Sequence, residues 1–392
     1  VIEEIDLSYD VSDVEIIQLI REKIIEKSKQ LPVSLKERQV IETHVFNSLR
    51  KLDVLEDLLE EEDITEIMIN GPDDIFVEKE GRTYRTDKHF TSEEKLFDVI
   101  QQIVARTNKV VNETSPIVDT RLPDGSRVNI ILPPVAVDHG VISIRRFPKE
   151  PFTMKRLLAI GSLNEEMSGF LKVLVEAGYN IFCSGGTGSG KTTFLNALTE
   201  FIPHGERVVT IEDAAELQVI GVENLVRLES RPKNLEGRLE ISIRDLVKTS
   251  LRMRPDRIIV GEVRGAETVD LLQALNTGHS GSLSTGHGNS ARDMIMRLEM
   301  MVLMGMDLPV AAIRQQIASG IDIFVHLGRL KDKSRKVLEI AETAGVENGE
   351  VVLRTLYEYV VEEGREAGTW IKRNDILNDR KLIMAGIQQE SS

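Results

Sequence analysis

The sequence predicts an α/β fold with a parallel-type core sheet over residues 151–392. An α+β segment over 61–150 and a small helical bundle over 1–60 precede it. Three observations carry this. An eight-residue glycine-rich stretch, 185–192, stands between a short apolar run and a helix-spaced apolar series at Phe194, Leu195, Leu198, Phe201 and Ile202. Two later apolar runs, 207–211 and 257–260, each close on a carboxylate, as strands of a parallel sheet do at a ligand crevice. Upstream, 64–86 reads as strand, turn and hairpin, whereas 12–52 carries helix-capping signals.

The chain has 392 residues, enough for about two to three domains. Asp plus Glu exceed Lys plus Arg by 64 − 49 = 15. That acidic balance argues against a general nucleic-acid binder, which needs a basic face to displace counterions, so no direct nucleic-acid partner is expected. Cys183 is the single cysteine, which excludes an intrachain disulfide and fits a reducing compartment. No apolar run approaches 18 residues, so no membrane span and no signal peptide are expected. The chain begins at Val1 without a methionine, which leaves room for residues before it.

From the N-terminus, Ser12-Asp13-Val14-Glu15 has the form of a capping box before Ile16, Ile17, Ile20 and Ile24. Ser34-Leu35-Lys36-Glu37 repeats it before a helix to about residue 52, and 53–60 reads as a short third helix. A solvated bundle is the plain reading, and a docking arm for another protein is the alternative. The acidic run 60–63 marks a boundary.

A strand over 64–70, a turn at Asn70-Gly71-Pro72-Asp73 and a hairpin of 74–78 with 82–86 around Glu80-Gly81 follow. Thr91-Ser92-Glu93-Glu94 caps a helix bearing Leu96, Ile100 and Ile103, and strands are expected over 127–132 and 141–147. Residues 148–152 would be the linker. Arg121, Arg127, Arg145 and Arg146 are candidate phosphate ligands, because the planar guanidinium fork suits phosphate better than lysine does. A surface ion pair is the competing role for each of them. Arg145 and Arg146 point to opposite faces of a strand, so they cannot serve one ligand alike.

Gly185-Gly186-Thr187-Gly188-Ser189-Gly190-Lys191-Thr192 matches the phosphate-loop pattern at both glycines, the lysine and the hydroxyl. Its backbone N–H groups, with those of Thr193 and the helix N-terminus, would cradle the phosphates of ATP. Lys191 would reach the β- and γ-phosphates, and Thr192 would ligate Mg²⁺. Glu212 and Asp213 end one strand, and there a general base and a helix cap are equally open readings. Glu262 ends the other strand and would hold the metal's water shell, with Gly261 where an aspartate is usual. The polar loop 277–290 carries His279 and His287, whose spacing is not a zinc pattern and suits phosphate sensing. A methionine-rich helix follows with Met294, Met296, Met300, Met301, Met304 and Met306. Core packing is its plainer role, and a face at a moving interface is the alternative. Strands are expected over 320–327, 336–342 and 350–359, and a helical then polar tail beyond 374.

The phosphate loop, Thr210-Ile211-Glu212-Asp213, Val260-Gly261-Glu262-Val263-Arg264-Gly265 and the loop of His279 and His287 come in an order that resembles the type II/IV secretion ATPases. Within them the chain looks most like the CpaF-type ATPases of tight-adherence (Flp) pilus systems. Ile69-Asn70-Gly71-Pro72, the arginine turn at 121–127, Ile144-Arg145-Arg146-Phe147 and 251–257 add to the likeness, which covers about residues 60 to 360. The resemblance implies a homo-hexamer with an N-terminal sensing domain and a C-terminal RecA-like ATPase, nucleotide lying between them. It implies Glu212 as general base, Glu262 as an atypical Walker B acid and His287 near the γ-phosphate, with His279 just before it. The four arginines would complete the site. ATP and Mg²⁺ would be the cofactors, inner-membrane platform proteins the partners, and the cytoplasmic membrane face the location. A conjugation-type ATPase or DNA-stimulated RecA-like motor is the rival reading, and a nucleotide-gated scaffold the non-enzymatic one.

Overall fold

The computed structural model describes residues 12–29, 33–79, 81–107, 109–146, 151–231, 240–361 and 368–387. Residues 148–150 of the expected linker, Phe147 and Glu80 of the hairpin turn lie outside them. The chain divides into two compact units, Val1–Lys149 and Glu150–Ser392.

The first unit begins with α1 (Asp13–Ser28), α2 (Leu35–Arg50) and α3 (Val54–Glu60). Both expected capping boxes form, at Ser12 with Glu15 and at Ser34 with Glu37. Ile16, Ile20 and Ile24 of α1 pack against Val45, Phe46 and Leu49 of α2. Leu55 and Leu58 of α3 instead enter the core of a six-stranded sheet. That sheet is built from β1 (Ile64–Asn70), β2 (Ile75–Lys79), β3 (Arg82–Arg85), β4 (Ile117–Arg121), β5 (Arg127–Ile131) and β6 (Val141–Arg145), with α4 (Glu93–Ala105) after β3. The strand order is β3-β2-β1-β6-β5-β4, antiparallel throughout. Alternation puts Ile67, Ile69, Val128, Ile130, Ile142 and Ile144 into one core with Leu96, Val99, Ile100 and Ile103 of α4. The opposite face mixes Arg127, Asn129 and Arg145 with Met68, Phe76 and Ile131.

The second unit contains α5 (Met154–Ala159), α6 (Glu165–Glu176), β7 (Ile181–Gly185), α7 (Lys191–Thr199), β8 (Arg207–Glu212), β9 (Asn224–Glu229), α8 (Ile243–Ser250), β10 (Arg257–Val260), α9 (Thr268–Asn276) and β11 (Leu283–His287). It continues through α10 (Ala291–Gly305), α11 (Val310–Gly320), β12 (Ile323–Arg329), β13 (Arg335–Glu347), β14 (Glu350–Val360), β15 (Thr369–Lys372) and α12 (Arg380–Met384). The sheet order is β15-β14-β13-β12-β7-β11-β10-β8-β9. From β12 to β9 every pairing is parallel, whereas β13 to β15 extend the sheet antiparallel from β12. The parallel part is buried on both faces. One core joins α5, α6 and α7 to Cys183, Val208 and Ile259, and the other joins α9, α10 and α11 to Phe182, Ile211 and Val260. α6 stops at Gly178, which takes φ +76°, the left-handed region that suits glycine after a helix.

The methionine helix corrects an expectation. Met294 and Met301 are core residues, but Met296, Met300, Met304 and Met306 are exposed, with Leu303 beside them. The helix is amphipathic with methionine on both sides, so core packing explains only two of the six. The helix cap read at Glu212-Asp213 is also absent, because residues 213–223 form no helix.

Candidate active site

β7 runs straight into the glycine stretch, and α7 starts at Lys191. Gly190 is the N-cap of α7 at φ +90°, the left-handed region where a side chain is strained. Phe194 N–H donates to Gly190 C=O at 2.8 Å, so the helix is closed from its first turn. The N–H groups of Lys191, Thr192 and Thr193 precede that bond and have no acceptor within the helix, which makes the terminus an anion cradle. Gly186, Thr187 and Gly188 are exposed, and Ser189 turns inward to donate from Oγ to Gly186 C=O at 2.9 Å. Arg335 of β13 fastens the loop from outside, its Nε donating to Gly188 C=O at 2.9 Å. No local pattern marked Arg335, since it comes from a strand about 150 residues on.

Lys191 is nearly buried. Its ammonium donates to the carbonyls of Gly185 and Gly186 at 3.1 and 3.0 Å and stands 3.3 Å from His287 Nδ1. An ammonium only donates, so Nδ1 is an acceptor and the ring's proton sits on Nε2. Nε2 lies 2.8 Å from Glu262 Oε1. Burial holds the His287 imidazole below its usual pKa, with Lys191, Arg264 and Arg297 adding to the effect and Glu262 opposing it. Glu262 Oε2 accepts from Arg264 at 3.1 Å, and Arg264 reaches Asp213 at 3.6 Å. Side chains from the carboxyl ends of β8, β10 and β11 thus meet the lysine of α7 in one chain of charges. Arg264 was visible in the sequence only as part of a motif, and its bridging of two acidic strand ends could not be read there.

Glu212 is separate from that chain. It is 4 % exposed, and its Oε1 accepts the N–H groups of Glu216 and Leu217 at 2.9 and 3.0 Å. Oε2 is buried without a hydrogen-bond partner among the described residues. Burial pushes this carboxyl's pKa up, against the pull of the two N–H groups. Its place explains Gly261: a Cβ there would come within 2.8 Å of Glu212 Cγ. The position before Glu262 is glycine because the Glu212 side chain occupies that space.

His279 is corrected. It sits after α9, before β11 begins, hence at the opposite end of β11 from His287, and its Nδ1 is 3.2 Å from Ala274 C=O. It finishes a helix and does not stand beside the phosphate loop.

In the first unit, strand register places Arg121 opposite Arg127 and Arg127 opposite Arg145, a row across the face away from the core that Glu66 continues. Such opposite residues are about 5 Å apart, and like charges so placed repel, which suits an anion. Arg146, on the other face, donates to the carbonyls of Leu58, Leu59, Glu61 and Ile64. It holds the end of α3 and the start of β1 instead of facing the row.

Among the described residues no three His, Cys, Asp or Glu side chains are grouped to hold a metal by themselves. Thr192 and Glu262 supply hard oxygen donors of the kind Mg²⁺ takes beside phosphate oxygens.

Residues 48–368 match the family described as "Type II/IV secretion system protein". A Mycobacterium tuberculosis protein whose name provisionally assigns it to conjugal transfer is 34 % identical over 76 % of this chain and 88 % of its own. The type IV secretion system protein PtlH of Bordetella pertussis is 32 % identical over 74 % of this chain and 93 % of its own. VirB11 of Brucella abortus is 31 % identical over 70 % and 84 %. Two solved structures share the fold. The Legionella pneumophila ATPase DotB has TM-score 0.51 and 23 % identity over 74 % of this chain and 79 % of its own. The pilus retraction motor PilT has TM-score 0.53 and 20 % identity over 86 % of each. The chain belongs to the type II/IV secretion system protein family, and its second unit has the RecA-like fold of that family's ATP hydrolases.

Proposed function

We propose that the chain is a Mg²⁺-dependent ATP hydrolase acting as a homo-hexameric motor at the cytoplasmic face of the inner membrane. It drives pilus assembly of the Flp type, or protein secretion, through membrane platform proteins. The observation that carries the reading is the meeting of Lys191, His287 and Glu262 at the carboxyl edge of the sheet, beside the phosphate loop.

The loop N–H groups and Lys191 bind and orient the triphosphate. Lys191 leaves its carbonyl partners for the β- and γ-phosphates. Thr192 and Glu262 would hold Mg²⁺, which supplies charge neutralisation at the β- and γ-oxygens. Glu212, with one carboxylate oxygen fixed by backbone N–H groups and the other unpartnered, takes the proton of the attacking water. His287 couples the lysine to Glu262 and reports on the γ-phosphate. Arg121, Arg127 and Arg145 supply further positive charge to a phosphate, and ring assembly decides whose nucleotide they serve. An arginine acting in that way is worth ~10³–10⁵ in rate, which would make hydrolysis depend on the ring.

The test is light scattering with and without Mg²⁺ and a non-hydrolysable ATP analogue, on the sample used for phosphate release. A nucleotide-favoured hexamer whose hydrolysis is lost in both Lys191→Ala and Glu262→Gln is expected. A monomer with full activity would remove the ring, and a Lys191→Ala protein with wild-type turnover would remove the site. Hydrolysis stimulated many-fold by DNA, with steep salt dependence, would replace this reading with a nucleic-acid motor.

A further inference from the structure

Ser184 directly precedes the first glycine of the phosphate loop and is fully buried, and His326 on β12 is nearly so. The parallel register sets them side by side, with Ser184 Oγ 3.0 Å from His326 Nδ1. On its other side Ser184 is flanked by Gly286 of β11, the residue before His287. The residue after Ser184, Gly185, accepts at its carbonyl from Gly288 N–H, just past His287, at 3.3 Å and from the Lys191 ammonium at 3.1 Å. The ring therefore holds the base of the phosphate loop where it meets both the lysine and the segment that follows His287.

The chemistry of the pair is defined. Burial holds His326 below its usual pKa, and Asp293 of α10 and Lys191 of α7 are the charges that act on it, with opposite signs. A neutral imidazole has one N–H and one lone pair. The Ser184 hydroxyl and Nδ1 share one hydrogen bond, and a hydroxyl can serve either tautomer of the ring. Between His287 and α10 the chain bends within three residues. The bend is held by Gly288 N–H on Gly185 C=O at 3.3 Å and by the Ser290 cap of α10.

We propose that His326 is a positioning residue for hydrolysis: by holding Ser184, and with it the Gly185 carbonyl, it sets where His287 stands between Lys191 and Glu262. The inference rests on the role given to His287 above. The effect of His326 passes through the Gly185 carbonyl and the backbone of the bend.

The test is steady-state ATP hydrolysis by the full chain for wild type, His326→Ala, His287→Ala and the double variant. His326→Ala is expected to lower kcat by about 10-fold with KM for ATP changed less than about 2-fold, the pattern of a group that orients another. The double variant should be no more than about 2-fold slower than His287→Ala, because residues acting through one another are not additive. His326→Asn, whose amide can meet Ser184 as Nδ1 does, should recover part of the rate. Additive losses, or a His326→Ala protein with wild-type kcat, would overturn the inference while leaving His287 in place. Wild-type turnover by His287→Ala would overturn the role of His287, and this inference with it. Should His326→Ala not fold, as judged by thermal unfolding, Ser184→Ala takes its place in the cycle with the same non-additivity expected.

Discussion

Replacing Glu212 by glutamine separates chemistry from packing at the proposed base. The amide keeps the shape of the side chain and a carbonyl oxygen for the N–H groups of Glu216 and Leu217, now 2.9 and 3.0 Å from Oε1. Losing the charge weakens those two bonds by about 1 kcal/mol each, since bonds to charged groups exceed neutral ones by about that much. Against this, the cost of a charged, unpartnered Oε2 is exchanged for the smaller one of a neutral amide –NH2 in the same buried place, about 1–3 kcal/mol for a neutral group and more for a charged one. The terms nearly cancel, so the unfolding free energy at neutral pH should change by no more than about 1 kcal/mol. Hydrolysis should fall by about 10²–10⁴, the usual worth of a positioned general base. The pH dependence has a definite sign. Burial raises the carboxyl's pKa in the folded protein, so the unfolded chain ionises first as pH rises. Wild type therefore loses stability from the ordinary value of 4.5 upward until the folded pKa is passed, and the glutamine variant does not. Urea unfolding at several pH values, with phosphate release on the same preparations, reads both quantities. A glutamine variant hydrolysing ATP near the wild-type rate would refute the assignment.

Gly261→Ala puts a Cβ 2.8 Å from Glu212 Cγ, so the protein should lose about 1–3 kcal/mol, the usual cost of overpacking a core, and hydrolysis should fall as Glu212 is displaced. Urea unfolding and a phosphate-release assay check this; a fully active alanine variant would mean that Glu212 can move freely. Arg146→Ala removes a cation from four backbone carbonyls and should cost about 1–3 kcal/mol in thermal or urea unfolding. Arg145→Ala, on the face away from the core beside Arg127, should leave stability within about 0.5 kcal/mol while lowering hydrolysis by the assembled protein.

The phosphate loop was legible because its chemistry resides in eight consecutive residues. Glu212 and Glu262 were legible because an apolar run closing on a carboxylate keeps its meaning wherever the strand is placed. What escaped depends on juxtaposition. Gly261 looked like a missing acid until β8 and β10 were paired, after which the Glu212 side chain accounts for it. His279 and His287 are eight residues apart in one polar loop, and only the course of β11 puts them at opposite ends of a strand. The arginine row needed the register of three strands, one of which, β4, carries too few apolar residues to have been foreseen. β9 and β15 were missed too: they are half-exposed edge strands, and the apolar residues of β9, Leu225, Val226 and Leu228, include two in a row and so declare no single face. Arg335 and His326 act on the loop from strands that follow it by well over a hundred residues, a separation no local pattern spans.

That separation has a consequence during synthesis. β7 carries the phosphate loop, yet the strands on either side of it are β11 and β12, and the Ser184–His326 pair spans 142 residues. At a ribosomal pace of about 5–20 residues per second, roughly 7–30 s pass between the appearance of the loop and that of the strand that completes its bed. Throughout that interval the loop's sequence exists without the sheet that orients it. A nucleotide site built on this loop is thus complete only after β12 has been synthesised and has docked beside β7.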